Sequence, residues 1–195
     1  MSSELTLSDN MAKNKKLPGD LAMWFFILAE LSVFAVFFIG FAVAEQLNVE
    51  LFRTSKDQLH PIAGLINTLA LITSSFFVAL SLIAIKKRQC NACVSHLVLA
   101  QVFALVYIVV KLTDYQYLFD AGIDIETNTF FTLYFLITGF HLMHILLGMV
   151  ILTYMAVKAF KKAYKQEFSG FEAGASYWHM VDMLWIILFP LIYII

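Results

Sequence analysis

The chain has 195 residues, of which 61% are hydrophobic and only 14% charged, with a mean hydropathy of +0.81. A soluble domain is nearer half apolar and a quarter charged, so this composition excludes a water-soluble globular protein and indicates an all-α or β-barrel integral membrane protein. A net charge of −1 also argues against nucleic acid or any other acidic polymer as the partner.

Residues 1–20 are polar and read as a cytoplasmic N-terminal segment, with Pro18, Gly19 and Asp20 forming a turn into the first helix. They contain no apolar run of signal-peptide length, so the first span is expected to act as the insertion signal. Five apolar segments follow, at 21–43, 62–85, 94–112, 130–157 and 177–195. Each is about 19 to 28 residues long, enough to cross a bilayer with some tilt. Barrel strands would be about ten residues of alternating character, which these are not. The spacing therefore predicts an all-α membrane domain of five transmembrane helices over 21–195.

The basic residues predict its orientation. Lys13, Lys15 and Lys16 precede the first span; Lys86, Lys87 and Arg88 follow the second; Lys158, Lys161, Lys162 and Lys165 follow the fourth. Ten of the thirteen Lys and Arg thus lie on one side, whereas the third loop carries Asp114, Asp120, Asp124 and Glu126. The N-terminus is expected to be cytoplasmic and the C-terminus periplasmic. Lys111, at the outer end of the third span, is expected to snorkel to the interface.

Ionisable groups are concentrated in the inner half of the spans. At 1.5 Å per residue, Glu30 lies about 13 Å in from the cytoplasmic edge, and His144 and Gln101 about 10 Å. His96, His179 and Asp182 lie within about 8 Å of the same edge. In hydrocarbon, Glu30 must be protonated, paired or wet. No Lys or Arg lies at its level, so it is expected to be neutral; an ion pair with His144, the partner nearest in depth, would instead keep it charged. His141 and His144 share one helical face with Gly148, and that face needs protein partners. The glycine permits close approach of another helix. Asn67, Ala70, Ser74 and Ser81 form a small, weakly polar stripe suited to helix contact. Tyr177, Trp178 and Trp185 fit an aromatic belt and the contact face of the last helix.

Histidine and carboxylate side chains of this number suit several metals. Here, however, His-x-x-His and His-x-x-Asp stand where di-metal bundles use Glu-x-x-His, so interhelical hydrogen bonding is the simpler role and no metal is expected. Cys90 and Cys93 have CxxC spacing but no second pair to build a zinc or redox site.

Three separated motifs carry a family resemblance. Phe171-Glu172-Ala173 with Tyr177-Trp178-His179-x-Val181-Asp182-x-x-Trp185 resembles the C-terminal signature of subunit III of haem–copper oxidases. Thr138-Gly139-Phe140-His141-x-x-His144-x-x-x-Gly148 resembles that family's preceding helix, and Ala29-Glu30-x-x-x-Phe34 its glutamate-bearing helix. Within the family, 17–24 and the chain's size look most like the NorE-type proteins associated with nitric oxide reductase. The resemblance implies a subunit with no redox cofactor of its own, packed on a catalytic haem-containing subunit in a bacterial cytoplasmic membrane. It implies two helix groups, spans 1–2 and 3–5, around a cleft holding structural phospholipids, and a role in proton uptake and durability. It places the family's motif positions on Glu30, His141, His144, His179 and Asp182, none of them catalytic. A proton-coupled transporter and an assembly factor for the reductase are the competing readings; no inverted repeat favours the former.

Overall fold

The computed structural model describes residues 21–162, 164 and 168–194. The predicted turn at Pro18–Asp20 and the lysines at 13, 15, 16 and 165 lie outside these. Among the described residues there are six helices and no strand: α1 Leu21–Leu47, α2 Val49–Lys56, α3 Pro61–Lys86, α4 Cys90–Asp120, α5 Thr129–Phe160 and α6 Ser169–Tyr193. All but α2 are long and apolar enough to cross a membrane.

The helix ends follow local chemistry. Asn48 separates α1 from α2, whose amphipathic turns bury Phe52 and Ser55 and expose Arg53. Phe52 inserts edge-on between Phe41 and Phe130, and Asn128 donates to Ser55 Oγ at 3.1 Å. Pro61 opens α3, a position where a missing N–H costs nothing. The α3–α4 turn closes within three residues because Arg88 takes a left-handed φ of 58°, allowing Gln89 N–H to reach Ala84 O at 2.9 Å. Asn128 caps α5, its side chain accepting from Phe131 N–H at 3.0 Å.

Four helices, α3 to α6, form the central bundle, and α1 lies outside it against α5 and α6. This corrects the expected division into spans 1–2 and 3–5. The second span is α3, and its most extensive partner is α4, not α1. The predicted stripe explains why: Asn67, Ala70, Ser74 and Ser81 are all buried. Ser74 Oγ donates to Ala100 O at 2.8 Å, and Phe77 stacks on Phe103. The other edge of α3 meets α6, where Trp185 Nε1 donates to Thr68 Oγ1 at 3.0 Å. Small and hydroxyl side chains let α3 be gripped from both sides, so it cannot swing away with α1.

Three glycines are needed for close approach: Gly174, where a Cβ would run into Met155 Sδ, and Gly148 and Gly64. A Cβ at Gly148 would stand 2.7 Å from Trp178 Cε3, and one at Gly64 would stand 2.7 Å from Phe189 Cε2. Trp178 and Tyr177 are consequently core residues, 1% and 0% exposed, rather than members of an interfacial belt. The indole plane occupies the volume that the glycine leaves empty. Outward faces are apolar: Phe25, Val36, Ile62, Met143 and Val150 are all more than half exposed in the isolated chain.

Candidate functional site

The five predicted polar residues do not converge on one point; α5 and α6 distribute them over three places. The first lies between α1 and α5, where Glu30 Oε2 is 2.9 Å from His144 Nε2. The other ring nitrogen, Nδ1, lies 2.8 Å from Phe140 O. A carbonyl only accepts, so Nδ1 carries a hydrogen. At 2.9 Å two facing lone pairs would repel, so one further proton lies between Nε2 and the carboxyl oxygen. The pair is therefore either neutral acid with neutral imidazole or carboxylate with imidazolium. Both assignments sum to zero charge, which is how a carboxyl group and an imidazole tolerate membrane depth. His144 thus supplies the partner that the depth count pointed to. Phe34, fully buried, packs edge-on against the His144 ring at 5.3 Å, while Tyr177 Oη donates to His144 O at 3.3 Å.

The second place lies between α6 and α3. His179 Nδ1 is 2.6 Å from Ser75 Oγ, and Asp182, one turn on, is buried beside them with Oδ1 unpartnered among the described residues. This is an interhelical polar clasp on the far face of α6 from Glu30. The third is His141 alone. It is fully buried among Phe34, Tyr107 and Trp185, with ring centroids 5.3 to 6.3 Å away, and neither nitrogen has a partner among the described residues. Among the described residues, no three His, Cys, Asp or Glu side chains are grouped to hold a metal.

Asn67, Gly148, Trp178 and Trp185 are all in the bundle interior. Gln101 reaches from α4 to α5, donating to Thr153 Oγ1 at 2.8 Å. Cys90 and Cys93 are free, the latter buried.

One residue departs sharply from expectation. Lys111 does not snorkel; it is fully buried, with Nζ 2.7 Å from Tyr134 Oη and 3.5 Å from Asp114 Oδ2. The reason is that α4 continues to Asp120, so Asp114 is not in a loop but one turn beyond Lys111 on the same helix face. The Lys-x-x-Asp spacing was the available signal, obscured by ending the span at residue 112.

Comparison with known proteins identifies the fold's family. The family model "Cytochrome c oxidase subunit III" matches residues 1–195, and the chain belongs to that family. It is 30% identical over 181 residues to the heme-copper oxidase subunit I+III of Aeropyrum pernix, covering 89% of this chain and 22% of that protein. It is 28% identical over 174 residues to cytochrome c oxidase subunit 3 of Artemia franciscana, covering 88% of this chain and 66% of the relative. Cytochrome bo(3) ubiquinol oxidase subunit 3 of Buchnera aphidicola is 22% identical over 195 residues, covering 100% of this chain and 93% of its own length. The chain thus spans only part of the first two relatives and nearly all of the third.

Proposed function

We propose that this multi-pass subunit III family member is a non-catalytic subunit of a bacterial haem–copper terminal oxidase or nitric oxide reductase. It would pack through its apolar outer faces on the haem-containing catalytic subunit. The observation that carries this reading is the family match over all 195 residues, joined to a bundle in which the Glu30–His144 and Ser75–His179 contacts tie helix to helix. The relative in which subunits I and III form one chain supports a partner of the subunit I kind.

In this reading the Glu30–His144 pair fastens α1 to the bundle, and the exposed side of α1 (Phe25, Leu28, Val36 and Ile39) faces lipid or the catalytic subunit. The basic loops at 86–88 and 158–162 support a cytoplasmic N-terminus, and thus insertion in the bacterial inner membrane. Glu30 and His144 then lie toward the side from which protons are taken up, so the subunit would support that uptake and the durability of the catalytic site. Phospholipids would cover the exposed apolar side of α1 wherever the catalytic subunit does not. The motif at 17–24 favours nitric oxide reductase as the partner complex, in the manner of the NorE-type proteins.

The test is affinity purification of the tagged chain in mild detergent, with haem absorbance, identification of co-purifying chains, and oxygen- and nitric oxide-reduction assays. Co-purification of a haem-containing subunit with turnover supports the proposal. A homogeneous, haem-free chain from a strain that expresses the oxidases and reductases would refute it.

A further inference from the structure

The outward side of the bundle is mostly apolar, and the polar side chains on it differ in how they are satisfied. Ser32 of α1, Thr73 of α3 and Thr113 of α4 each donate to the carbonyl four residues back, at 2.8, 2.7 and 2.8 Å. A hydroxyl bonded to its own helix can face lipid without a further partner. Gln101 of α4 is different. Its Nε2 donates to Thr153 Oγ1 at 2.8 Å and to Met149 O at 3.4 Å, which uses both N–H groups. Its carbonyl Oε1 accepts from none of the described residues and is not enclosed by the bundle. Gln101 stands three turns into the 31-residue helix α4, so an acyl chain beside it would leave that acceptor without a donor.

The surface around Gln101 is a regular seam. On α4, Val98, Leu105 and Leu112 follow one another at intervals of seven residues; on α5, Gly139, Leu146 and Thr153 do the same. Seven residues are nearly two helical turns, so each set forms a line along its helix. The four large apolar members of these lines are each 46–49% exposed. The Gln101–Thr153 and Tyr115–Thr138 hydrogen bonds fix the antiparallel register. They bring Val98 level with Thr153, Leu105 with Leu146 and Leu112 with Gly139. The two lines flank one seam about 21 Å long, most of the hydrocarbon thickness. Toward the α4–α5 loop the seam is open, since a Cβ at Gly139 would meet nothing within 4 Å. Missing bulk on an outward helical face lets another backbone come close.

We propose that this α4–α5 seam is the docking face for one transmembrane helix of the haem-containing catalytic subunit, which donates a hydrogen bond to Gln101 Oε1. An acyl chain fills an apolar seam but brings no donor. A helix carrying Ser, Thr, Asn, Gln or Trp at that level supplies one. A seven-residue repeat of half-exposed side chains also matches the spacing at which a neighbouring helix inserts its own. The inference rests on the proposed partnership with a catalytic subunit and selects one outward face for it, leaving the exposed side of α1 to lipid.

The test is photocrosslinking in the purified complex. A benzophenone amino acid replaces Leu105, Leu146, Val36 of α1 or Ile187 of α6, and the adducts are identified by mass spectrometry. The groups at 105 and 146 are expected to couple to the haem-containing chain, and those at 36 and 187 to lipid. Two glycine variants give a second measure, because a side chain at Gly139 or at Gly40 of α1 meets open space within the subunit. Gly139→Leu and Gly40→Leu should both melt like wild type as isolated chains. Gly139→Leu should lower the haem recovered per tagged chain at least about tenfold, and Gly40→Leu should leave it unchanged. Gln101→Leu should lower it about threefold or more. If Gly139→Leu fails to fold, the crosslinks decide. Groups at 105 and 146 that couple only to lipid or to a second copy of this chain overturn the proposal. So does a folded Gly139→Leu that retains the haem-containing chain at wild-type yield. A preparation with no haem-containing chain refutes the partnership itself, and this docking face with it, and is recognised from its visible absorbance before any crosslinking.

Discussion

Replacing Glu30 separates two demands on the Glu30–His144 contact: a hydrogen bond and an ionisable proton. In Glu30→Gln the amide N–H can donate to His144 Nε2 at the same 2.9 Å, while Nδ1–H stays on Phe140 O at 2.8 Å. The imidazole is then neutral and fully bonded, and the expected cost is within about 0.5 kcal/mol. Glu30→Ala leaves Nε2 without a partner beside Phe34. An unpaired buried polar group costs about 1–3 kcal/mol, while interhelical hydrogen bonds in membranes average nearer 0.6 and reach about 1.7. A loss of about 1–2 kcal/mol is therefore expected, a factor of roughly 5 to 30 in the population with α1 detached. Initial turnover of the purified complex and its first-order inactivation rate should be measured for both variants. Glu30→Gln should match wild type in both, whereas Glu30→Ala should begin normally and inactivate at least about fivefold faster. Immediate loss of most turnover in Glu30→Gln would show that the ionisable proton itself is required, and would refute this reasoning.

Gly148→Ala places a methyl 2.7 Å from a buried indole carbon. It should lower stability by about 1–3 kcal/mol, read as a lower melting temperature in detergent followed by tryptophan fluorescence. Lys111→Met alone strands Asp114 in the bundle and should cost about 3–5 kcal/mol, most of it recovered by adding Asp114→Asn, as a thermal melt of both variants would show. By contrast, Lys56→Ala breaks a pair with Glu45 near the surface and should cost no more than about 1 kcal/mol, shrinking further at high salt. Elemental analysis and visible absorbance of the isolated chain should find neither haem nor stoichiometric metal. A tightly held metal lost on His144→Ala would reverse that expectation.

Much of the local structure was legible because it depends on short-range rules. Five runs of apolar residues of bilayer length can only be spanning helices. The short helix α2 was missed because Val49–Lys56 is amphipathic and partly charged, and it becomes fixed only where Phe52 finds Phe41 and Phe130. The span ends were misplaced for a related reason. Asp114 looks like a loop residue until Lys111, Tyr134 and Tyr193 surround it, and only the fold brings Tyr193 there from 79 residues away.

The sequence by itself determined membrane residence, the number of spans, the small-residue faces and which polar side chains need partners, because these follow from transfer free energies and helical periodicity along one segment. Depth alone singled out His144 as the group nearest Glu30. Only the tertiary structure decided which helices adjoin: that α3 is gripped between α4 and α6 while α1 rides outside, and that His179 turns to Ser75 instead of joining Glu30. The physical reason is that a histidine in a spanning helix must be satisfied by some neighbour, but a single helix presents several faces. Side-chain volume across the whole bundle, such as Trp178 seated on Gly148, selects which face meets which helix.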